Sequence, residues 1–487
     1  MRRCGCCAKA RSDVVHADAM SPRQKSLALL TLIVAQVLEI VDMTIVNTAL
    51  PAIKAEIGAG SGAAQWIVAG YSLAFALLLM AGGRLGDSFG YRRMFLIGVA
   101  GFSLSSLACG MAQDGTQLVA ARLAQGATGA IMGPQVMALI QVMFEPLQRV
   151  SKMALFGIIG GLAAIAGPVL GGLLIKADLF DLGWRIVFLI NLPVGVLALV
   201  AGWRYLPRAK SARPGGYDLA GMGWFAAALA LVMAPFAHAE GQAISLTAYG
   251  LALASVPLGW IGWRHVSARV AQGRVALFDP ALFAIPTFRL GLLSSVVFAA
   301  ANGGFLLIFA FALQAERGQT PLMTGLLHMP FGLGAMVGIG VLGRHFLPKL
   351  GRWVLVIGGG VMALSCVLVF GGIGPWMLSW TALVPVLVLA GIGMGLATGS
   401  LGPITVAQVD RDHAGAASSL LKTAQQLGAA VGVAVCGSAY FGGVVIPGLR
   451  PLLLAAAIIA GLELVCVAVS LRLPGDIFGR RPAHAAG

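Results

Sequence analysis

The sequence predicts an all-α polytopic membrane protein with 14 transmembrane helices. Of its 487 residues, 59% are hydrophobic and only 10% are charged, whereas soluble proteins carry about 25% charged residues. Several apolar stretches are longer than about 18 residues, and about 20 helical residues cover the bilayer core of roughly 30 Å. A third observation is an internal repeat, which divides the chain into two similar halves.

Basic residues provide a test of the predicted spans. If successive spans alternate in direction, all but six of the 33 Lys and Arg residues fall on the side of the N terminus. Because short basic loops stay in the cytoplasm, we expect both termini to be cytoplasmic, in a bacterial plasma (inner) membrane. The six exceptions are Arg122 within a span and, on the opposite side, Lys54, Lys176, Arg185, Arg317 and Arg450. The predicted spans are 26–50, 64–83, 93–112, 116–140, 153–175, 185–205, 219–237, 245–263, 289–313, 320–341, 352–372, 378–400, 416–441 and 451–471.

Composition also excludes some classes of partner and cofactor. The net charge of +15 does not indicate nucleic-acid binding, because the basic residues are spread over short loops instead of one face. The cysteines form no disulfide framework, and the cluster Cys4, Cys6 and Cys7 is only a weak signal for a soft metal. No cleavable signal peptide is apparent, and Met20 offers an alternative start. We therefore expect no metal and no cofactor.

Two stretches of the chain occur twice. Residues 83–98 and 340–358 share the order Gly, Leu, Gly, Phe, Gly, Arg before an apolar helix, and residues 123–134 resemble residues 389–403. These matches predict two parallel six-helix halves with two helices inserted between them. Transporters built from such repeats bind substrate near the membrane midplane, between the halves. The predicted segments are an N-terminal tail 1–25, a first half 26–205, inserted helices seven and eight with their loops 206–288, a second half 289–471 and a C-terminal tail 472–487.

The first span carries two acidic residues where a bilayer makes them costly. Glu39 lies near its middle and Asp42 one turn later, so both share a helix face. A charged carboxylate at the bilayer centre costs about 2.5–3.5 kcal/mol, and burial together with like charge raises at least one pKa of such a pair. This describes a proton carrier. The alternatives are protonated acids hydrogen-bonded to neighbouring helices, or a Glu39 that reaches towards the membrane surface.

Arg122 in the fourth span needs a carboxylate, water or carbonyl groups around it. At 1.5 Å per helical residue, Arg122 lies roughly 9 Å and Asp42 roughly 12 Å below the same membrane surface. The similar depth predicts that the guanidinium changes the proton affinity of the carboxylate. A buried pair with a purely structural role is the alternative.

Two glycine-rich motifs stand out. The stretch GRLGDSFGYRR at 83–93 predicts a tight turn with charges at the helix ends, and we expect helix ends or Arg92 and Arg93 to position Asp87. The stretch GPVLGG at 167–172 is expected to interrupt the fifth span at Pro168 and to let another helix approach closely. No lysine follows a glycine directly, so a nucleotide-binding P-loop is excluded.

Six motifs in order resemble the major facilitator superfamily, and specifically its fourteen-span drug:proton antiporters, over roughly residues 26–471. They are VDMTIVNTALPAI at 41–53, GRLGDSFGYRR at 83–93, the stretch around Arg122, GPVLGG at 167–172, GWRIVFLINLPVG at 183–195 and AGAASSLLKTAQQLGAAVG at 414–432.

The resemblance implies proton-driven export of amphipathic drugs, antibiotics or toxic compounds by alternating access, with a major-facilitator-type fold. It implies proton coupling by Asp42 and Arg122, to which we add Glu39. It also implies a cytoplasmic gate at Gly83, Asp87, Gly90, Arg92 and Arg93, and a leak-limiting helix at Gly167, Pro168, Gly171 and Gly172.

Other polar or aromatic residues within spans are candidates for substrate contact, although hydrogen bonding between helices is the favoured explanation for any single one. These candidates are Gln36, Tyr71, Gln125, Asn302, Phe305, His328 and Gln425. We assign no role to Glu463, which lies deep in the last span.

Four functions compete, two of them transport. Proton-coupled export leads, and proton-coupled uptake of a nutrient or metabolite by a member of the same superfamily is the alternative. A membrane enzyme is disfavoured because the seven histidines are scattered, and a channel because one chain holds both halves. The expected partners are a small amphipathic substrate, protons and the lipid bilayer. The sequence neither requires nor excludes a periplasmic adaptor.

Overall fold

The computed structural model describes residues 20–209, 218–237, 246–409, 414–441 and 449–475. Regular secondary structure in these segments is helical, so the all-α prediction is confirmed. The predicted cluster Cys4, Cys6 and Cys7 and most of both predicted tails lie outside the described residues.

Long helices follow the predicted spans in order. The first six are α1 (Pro22–Glu56), α2 (Ser61–Phe89), α3 (Tyr91–Gly110), α4 (Gly115–Met143), α5 (Pro146–Ala177) and α6 (Asn191–Tyr205). The inserted pair is α7 (Leu219–Ala237) and α8 (Leu246–Ala271). The last six are α9 (Pro286–Ala315), α10 (Pro321–Val337), α11 (Trp353–Ile373), α12 (Trp380–Val406), α13 (Ala414–Tyr440) and α14 (Pro451–Leu471).

Eleven segments of the described chain are long and apolar enough to cross a membrane. They lie in α1–α6, α9–α12 and α14, and the one in α10 continues through a π-helix, Gly338–Gly343, to Leu350. Helix α7 adds a shorter apolar stretch, Leu219–Val232, and α8 and α13 are not among these eleven segments. The count of 14 transmembrane helices therefore stays a prediction.

Local sequence explains where helices begin. Ser21 accepts a hydrogen bond from the backbone N–H of Gln24 (3.2 Å), and the Gln24 side chain accepts one from the backbone of Ser21 (3.1 Å). This reciprocal cap and Pro22 at the first helical position fix the start of α1. Asp114 caps α4 by accepting from Gln117 N at 2.9 Å.

The described residues divide into two compact units. The first ends at Leu277 and also includes Gln319–Leu326, and the second comprises Phe278–Gly318 and the described residues from Leu327 onward. Within the first unit, α1 packs on α5 and α6, and α3 packs on α4 and α6. Within the second unit, α9 packs on α13 and α14, and α11 packs on α12 and α14. The same pairing of helices by order therefore occurs in each unit.

Glycines allow the closest approaches between these helices. A Cβ added at Gly126 of α4 would lie 2.2 Å from the carbonyl oxygen of Tyr71 in α2. In the second unit, a Cβ at Gly432 of α13 would lie 1.8 Å from the carbonyl oxygen of Ala300 in α9. Backbone contact of this kind is typical of membrane helices, where small residues replace the hydrophobic effect as the source of association.

The prediction that GPVLGG interrupts the fifth span is wrong, because α5 is continuous and includes Pro168. Proline removes one backbone hydrogen bond, but neighbouring helices can hold such a helix together in a membrane. The predicted close approach is present. A Cβ at Gly167 would lie 2.0 Å from Thr44 Oγ1 of α1, and a Cβ at Gly172 would lie 2.5 Å from the carbonyl oxygen of Pro321.

Candidate functional site: a buried ion pair in the first unit

A carboxylate and a guanidinium form an ion pair in the interior of the first unit. Asp42 of α1 is 0% exposed and Arg122 of α4 is 1% exposed, and Arg122 Nη1 donates to Asp42 Oδ2 at 2.6 Å. Both charges are therefore removed from water, where the pair is favourable only if further hydrogen bonds satisfy the remaining donors and acceptors.

Two amide side chains satisfy the other oxygen of Asp42. Gln125 Nε2 donates to Asp42 Oδ1 at 2.8 Å, and Asn191 Nδ2 donates to the same oxygen at 2.6 Å. Each amide also donates to Ser106 Oγ, at 2.6 Å from Gln125 and 2.9 Å from Asn191. Asp42 thus receives three N–H donors from two helices, α4 and α6, an arrangement that suits an ionised carboxylate.

Arg122 has its own set of acceptors and aromatic neighbours. Its Nε donates to the backbone carbonyl of Ile67 at 3.0 Å, and its Nη1 also donates to Gln125 Oε1 at 2.5 Å. The guanidinium carbon lies 4.4 Å from the ring centroid of Tyr71 and 5.9 Å from that of Phe188. Cation–π contact and hydrogen bonds hold the guanidinium at one depth in the bundle.

Glu39 lies one turn before Asp42 and is half-buried. A Cβ added at Gly133 of α4 would lie 3.4 Å from Glu39 Oε2. Both acids of α1 therefore face α4, as their spacing predicts. The cluster of Asp42, Arg122, Gln125, Asn191 and Ser106 is called the Asp42 cluster below.

Sequence reasoning missed two members of this cluster. Asn191 is quoted within the motif at 183–195, but it was not singled out as a site residue. Its signal is a carboxamide between apolar residues of a span, where a polar group is costly without a partner. Ser106 gives no comparable signal, because serine is common in membrane helices.

The tight turn predicted within the gate motif lies at Gly90, between two helix ends. Gly83 and Asp87 lie in the last two turns of α2, and Gly90 alone separates α2 from α3, with a φ of 97° that favours glycine. Asp87 Oδ1 accepts from the Tyr91 hydroxyl at 2.8 Å. Of the two expected ways to position Asp87, its place at a helix end is observed. The other is not, since Arg92 donates to the carbonyl of Trp203 and Arg93 is exposed.

The candidate substrate residues fall into different environments. Tyr71 and Gln125 contact or belong to the Asp42 cluster. In the second unit, Phe305 is fully buried and stacks on Phe309 and Phe331, and His328 meets the ring of Phe309 at a centroid distance of 4.8 Å. Half-buried positions are held by Gln36, Asn302 and Gln425.

Glu463 is fully buried in the second unit, against Gly359 of α11. Neither of its carboxyl oxygens has a hydrogen-bond partner among the described residues. No group of three or more His, Cys, Asp or Glu side chains that could hold a metal ion occurs in the described part of the chain.

Apolar helices around a buried ion pair are typical of an integral membrane protein with a functional polar site. Residues 32–433 match the sequence profile of the Major Facilitator Superfamily. The chain belongs to this superfamily, so it is a membrane transporter of small substrates and not an enzyme.

Three curated relatives come from Streptomyces. The chain is 38% identical to a probable actinorhodin transporter of Streptomyces coelicolor, over 85% of this chain and 72% of that protein. It is 33% identical to a puromycin resistance protein of Streptomyces alboniger, over 84% of this chain and 80% of that protein. It is also 32% identical to a tetracenomycin C resistance and export protein of Streptomyces glaucescens, over 88% of this chain and 78% of that protein.

A solved structure supports the fold. The crystal structure of a bacterial homolog of the human lysosomal transporter Spinster aligns with a TM-score of 0.63 at 19% identity, over 94% of this chain and 97% of that one.

Proposed function

We propose that the protein exports small amphipathic compounds, antibiotics among them, from the cytoplasm in exchange for protons. The observation that carries this proposal is the Asp42 cluster. A carboxylate buried deep in a membrane protein is costly, and such residues mark sites of function. Relatives named for actinorhodin transport, puromycin resistance and tetracenomycin C export support the direction of transport and the substrate class.

Asp42 is the proposed proton carrier. In this conformation both of its oxygens accept N–H hydrogen bonds, from Arg122 on one side and from Gln125 and Asn191 on the other. A proton can bind an oxygen only after a donor has withdrawn from it. A rearrangement of α1 against α4 or α6 would therefore couple protonation to the conformational cycle.

Arg122 is the proposed counter-charge, and Glu39 is the proposed relay towards Asp42. The guanidinium cannot take part by losing its own proton. Its role is to stabilise the carboxylate in one access state and to release it in the other. Glu39 lies on the same face of α1, within one turn of Asp42 and less buried, which suits a group that exchanges protons with water.

The motif at the junction of α2 and α3 is the proposed gate. Its members Gly83, Asp87, Gly90, Arg92 and Arg93 join the two helices with a single residue between them. Such a short connection transmits a change in the angle of α2 directly to α3. We place this junction, with both termini, on the cytoplasmic side.

The glycines of α5 are the proposed leak barrier. Gly167 and Gly171 lie against Thr44 and Ile45 of α1, two and three residues beyond Asp42, and Gly172 lies against Pro321. This close contact lies within one turn of the proposed proton carrier, where it would limit the entry of water between α1 and α5. Pro168 shapes the same face, and its carbonyl lies against Gly325.

The remaining sequence predictions complete the proposal. The halves are 26–205 and 289–471, and the substrate contacts are drawn from Gln36, Tyr71, Gln125, Asn302, Phe305, His328 and Gln425. Transport uses the proton gradient and no cofactor.

Inside-out membrane vesicles containing the protein test the function. With an acidified lumen, we expect puromycin and ethidium to accumulate inside, and nigericin, which collapses the pH gradient, to abolish accumulation. Vesicles without the protein are the control. Accumulation only in right-side-out vesicles would establish uptake instead, and accumulation unaffected by nigericin would refute proton coupling.

A further inference from the structure

Asp218 connects three segments of the inserted helix pair. It directly precedes α7, and its side chain is 1% exposed. Its Oδ1 accepts from Gly221 N in the first turn of α7 at 2.9 Å and pairs with His265 Nε2 of α8 at 2.9 Å. Arg269 Nε of α8 lies 3.6 Å from the same oxygen. Its Oδ2 accepts from Leu277 N, beyond the end of α8, at 3.1 Å.

The segment that Asp218 fixes is bound to α2. Arg84 Nη2 of α2 donates to the carbonyl of Ala276 at 3.0 Å. Arg269 supports the same segment by donating from Nε to Val275 O at 2.8 Å. A continuous path of hydrogen bonds therefore leads from the Asp218 carboxylate to the helix that carries Gly83 and Asp87.

Helix packing points to the same attachment. Among the described residues, α8 packs on α7 and α7 packs on α2. The outward side chains of the pair are apolar and exposed, with Leu219 and Leu253 each 70% exposed and Val256 68% exposed. Such surfaces face lipid, so the hydrophobic effect does not drive the pair to pack against α2 or fix its orientation there. The polar contacts of Asp218 and Arg84 fix the orientation of the pair relative to α2.

The surroundings of the Asp218 carboxylate favour its ionised form. Burial raises the pKa of Asp218, but hydrogen bonds from Gly221, His265 and Leu277 outweigh it, so the pKa lies below its ordinary value. Asp218 is therefore ionised near neutral pH. It attracts Arg269 and holds both hydrogen-bonded segments at once.

We propose that Asp218 is a positioning residue that fastens the α7–α8 pair to the motif end of α2, so that the pair moves with α2 during transport. The role as a part of the transport cycle rests on the proposed function. Arg84 provides the second contact of this attachment, since its hydrogen bond joins Ala276 to α2. Breaking either contact leaves the Asp42 cluster untouched but releases the pair from the gate helix.

Spin labels at Phe89 of α2 and Gln272 after α8, both exposed, test the fastening by their distance distribution in a cysteine-free background. We expect a narrow distribution in the native protein and a broad one in Asp218→Ala and in Arg84→Met. Asp114→Ala, which removes the side-chain cap of α4, is the matched control and should leave the distribution narrow. Equal widths in all four proteins would overturn the proposal.

Transport kinetics test the consequence. Asp218→Ala and Arg84→Met should each lower kcat roughly tenfold and leave KM unchanged. Because both substitutions break the same path of hydrogen bonds, the double variant should be no slower than either single variant. Asp218→Glu should restore part of the rate. A double variant whose loss of kcat is the product of the two single losses, or variants that change KM alone, would contradict the role in turnover. If the native protein transports nothing, the proposed function fails while the distance measurement still decides the fastening.

Discussion

Replacing Arg122 by methionine should destabilise the protein by about 3–5 kcal/mol, which is typical when one partner of a buried pair is removed. The structure explains why this change falls in that range. Among the described residues it removes the only charged donor that reaches Asp42. It also leaves Ile67 O without its 3.0 Å hydrogen bond and Gln125 Oε1 without a guanidinium donor. The side-chain amides of Gln125 and Asn191 still donate hydrogen bonds to the Asp42 carboxylate, so the carboxylate keeps part of its stabilisation.

The assay is unfolding by SDS in mixed micelles, followed by tryptophan fluorescence. Arg185→Met is the matched control. It removes the ion pair with Glu56, whose side chains are 26% and 49% exposed, and exposed pairs contribute about 0–1 kcal/mol. The double variant Asp42→Asn with Arg122→Met removes both charges and should be more stable than Arg122→Met alone. Equal stabilities of Arg122→Met and Arg185→Met would refute the argument.

Three further predictions follow from single contacts. Gly172→Ala places a Cβ 2.5 Å from a backbone carbonyl and should cost about 1–3 kcal/mol in the same assay, whereas Gly223→Ala, with nothing within 4 Å, should be neutral. Asp87→Asn weakens the hydrogen bond between these two side chains and Tyr91→Phe removes it, so both should slow dye efflux without reducing expression. The lowered pKa of Asp218 stabilises the fold fully above about pH 4, and this contribution is lost as the pH falls through the lowered value. The stability difference between native protein and Asp218→Asn should therefore shrink in acid, and a constant difference would contradict it.

The sequence predicted which charged residues of different helices lie close together. The depth of Asp42 and Arg122 along their spans predicted that the two charges influence each other, and the structure places them in direct contact. Depth works as a predictor because a helix rises by a fixed amount per residue and a bilayer aligns the helices. The partner amide Asn191 was beyond this reasoning, because the sequence does not fix which face of α6 meets α1.

Local details were less predictable. The tight turn expected within 83–93 is present at Gly90, but the break expected at Pro168 is not, because α5 is continuous. In a membrane the cost of an unpaired backbone group favours helix, and neighbouring helices can hold a chain that would bend in water. The partner of Asp87 was also missed. Tyr91, four residues later, reaches the carboxylate because only Gly90 separates α2 from α3.

Flux in proteoliposomes tests most directly whether Asp42 carries the proton. A pH gradient is imposed and uphill ethidium transport is followed for the native protein, Asp42→Asn and the control Asp114→Asn, whose carboxylate is exposed and distant in sequence. We predict that Asp42→Asn still exchanges substrate down its gradient but loses gradient-driven accumulation, while the control keeps both. Undiminished uphill transport by Asp42→Asn would contradict the claim and transfer the role to Glu39.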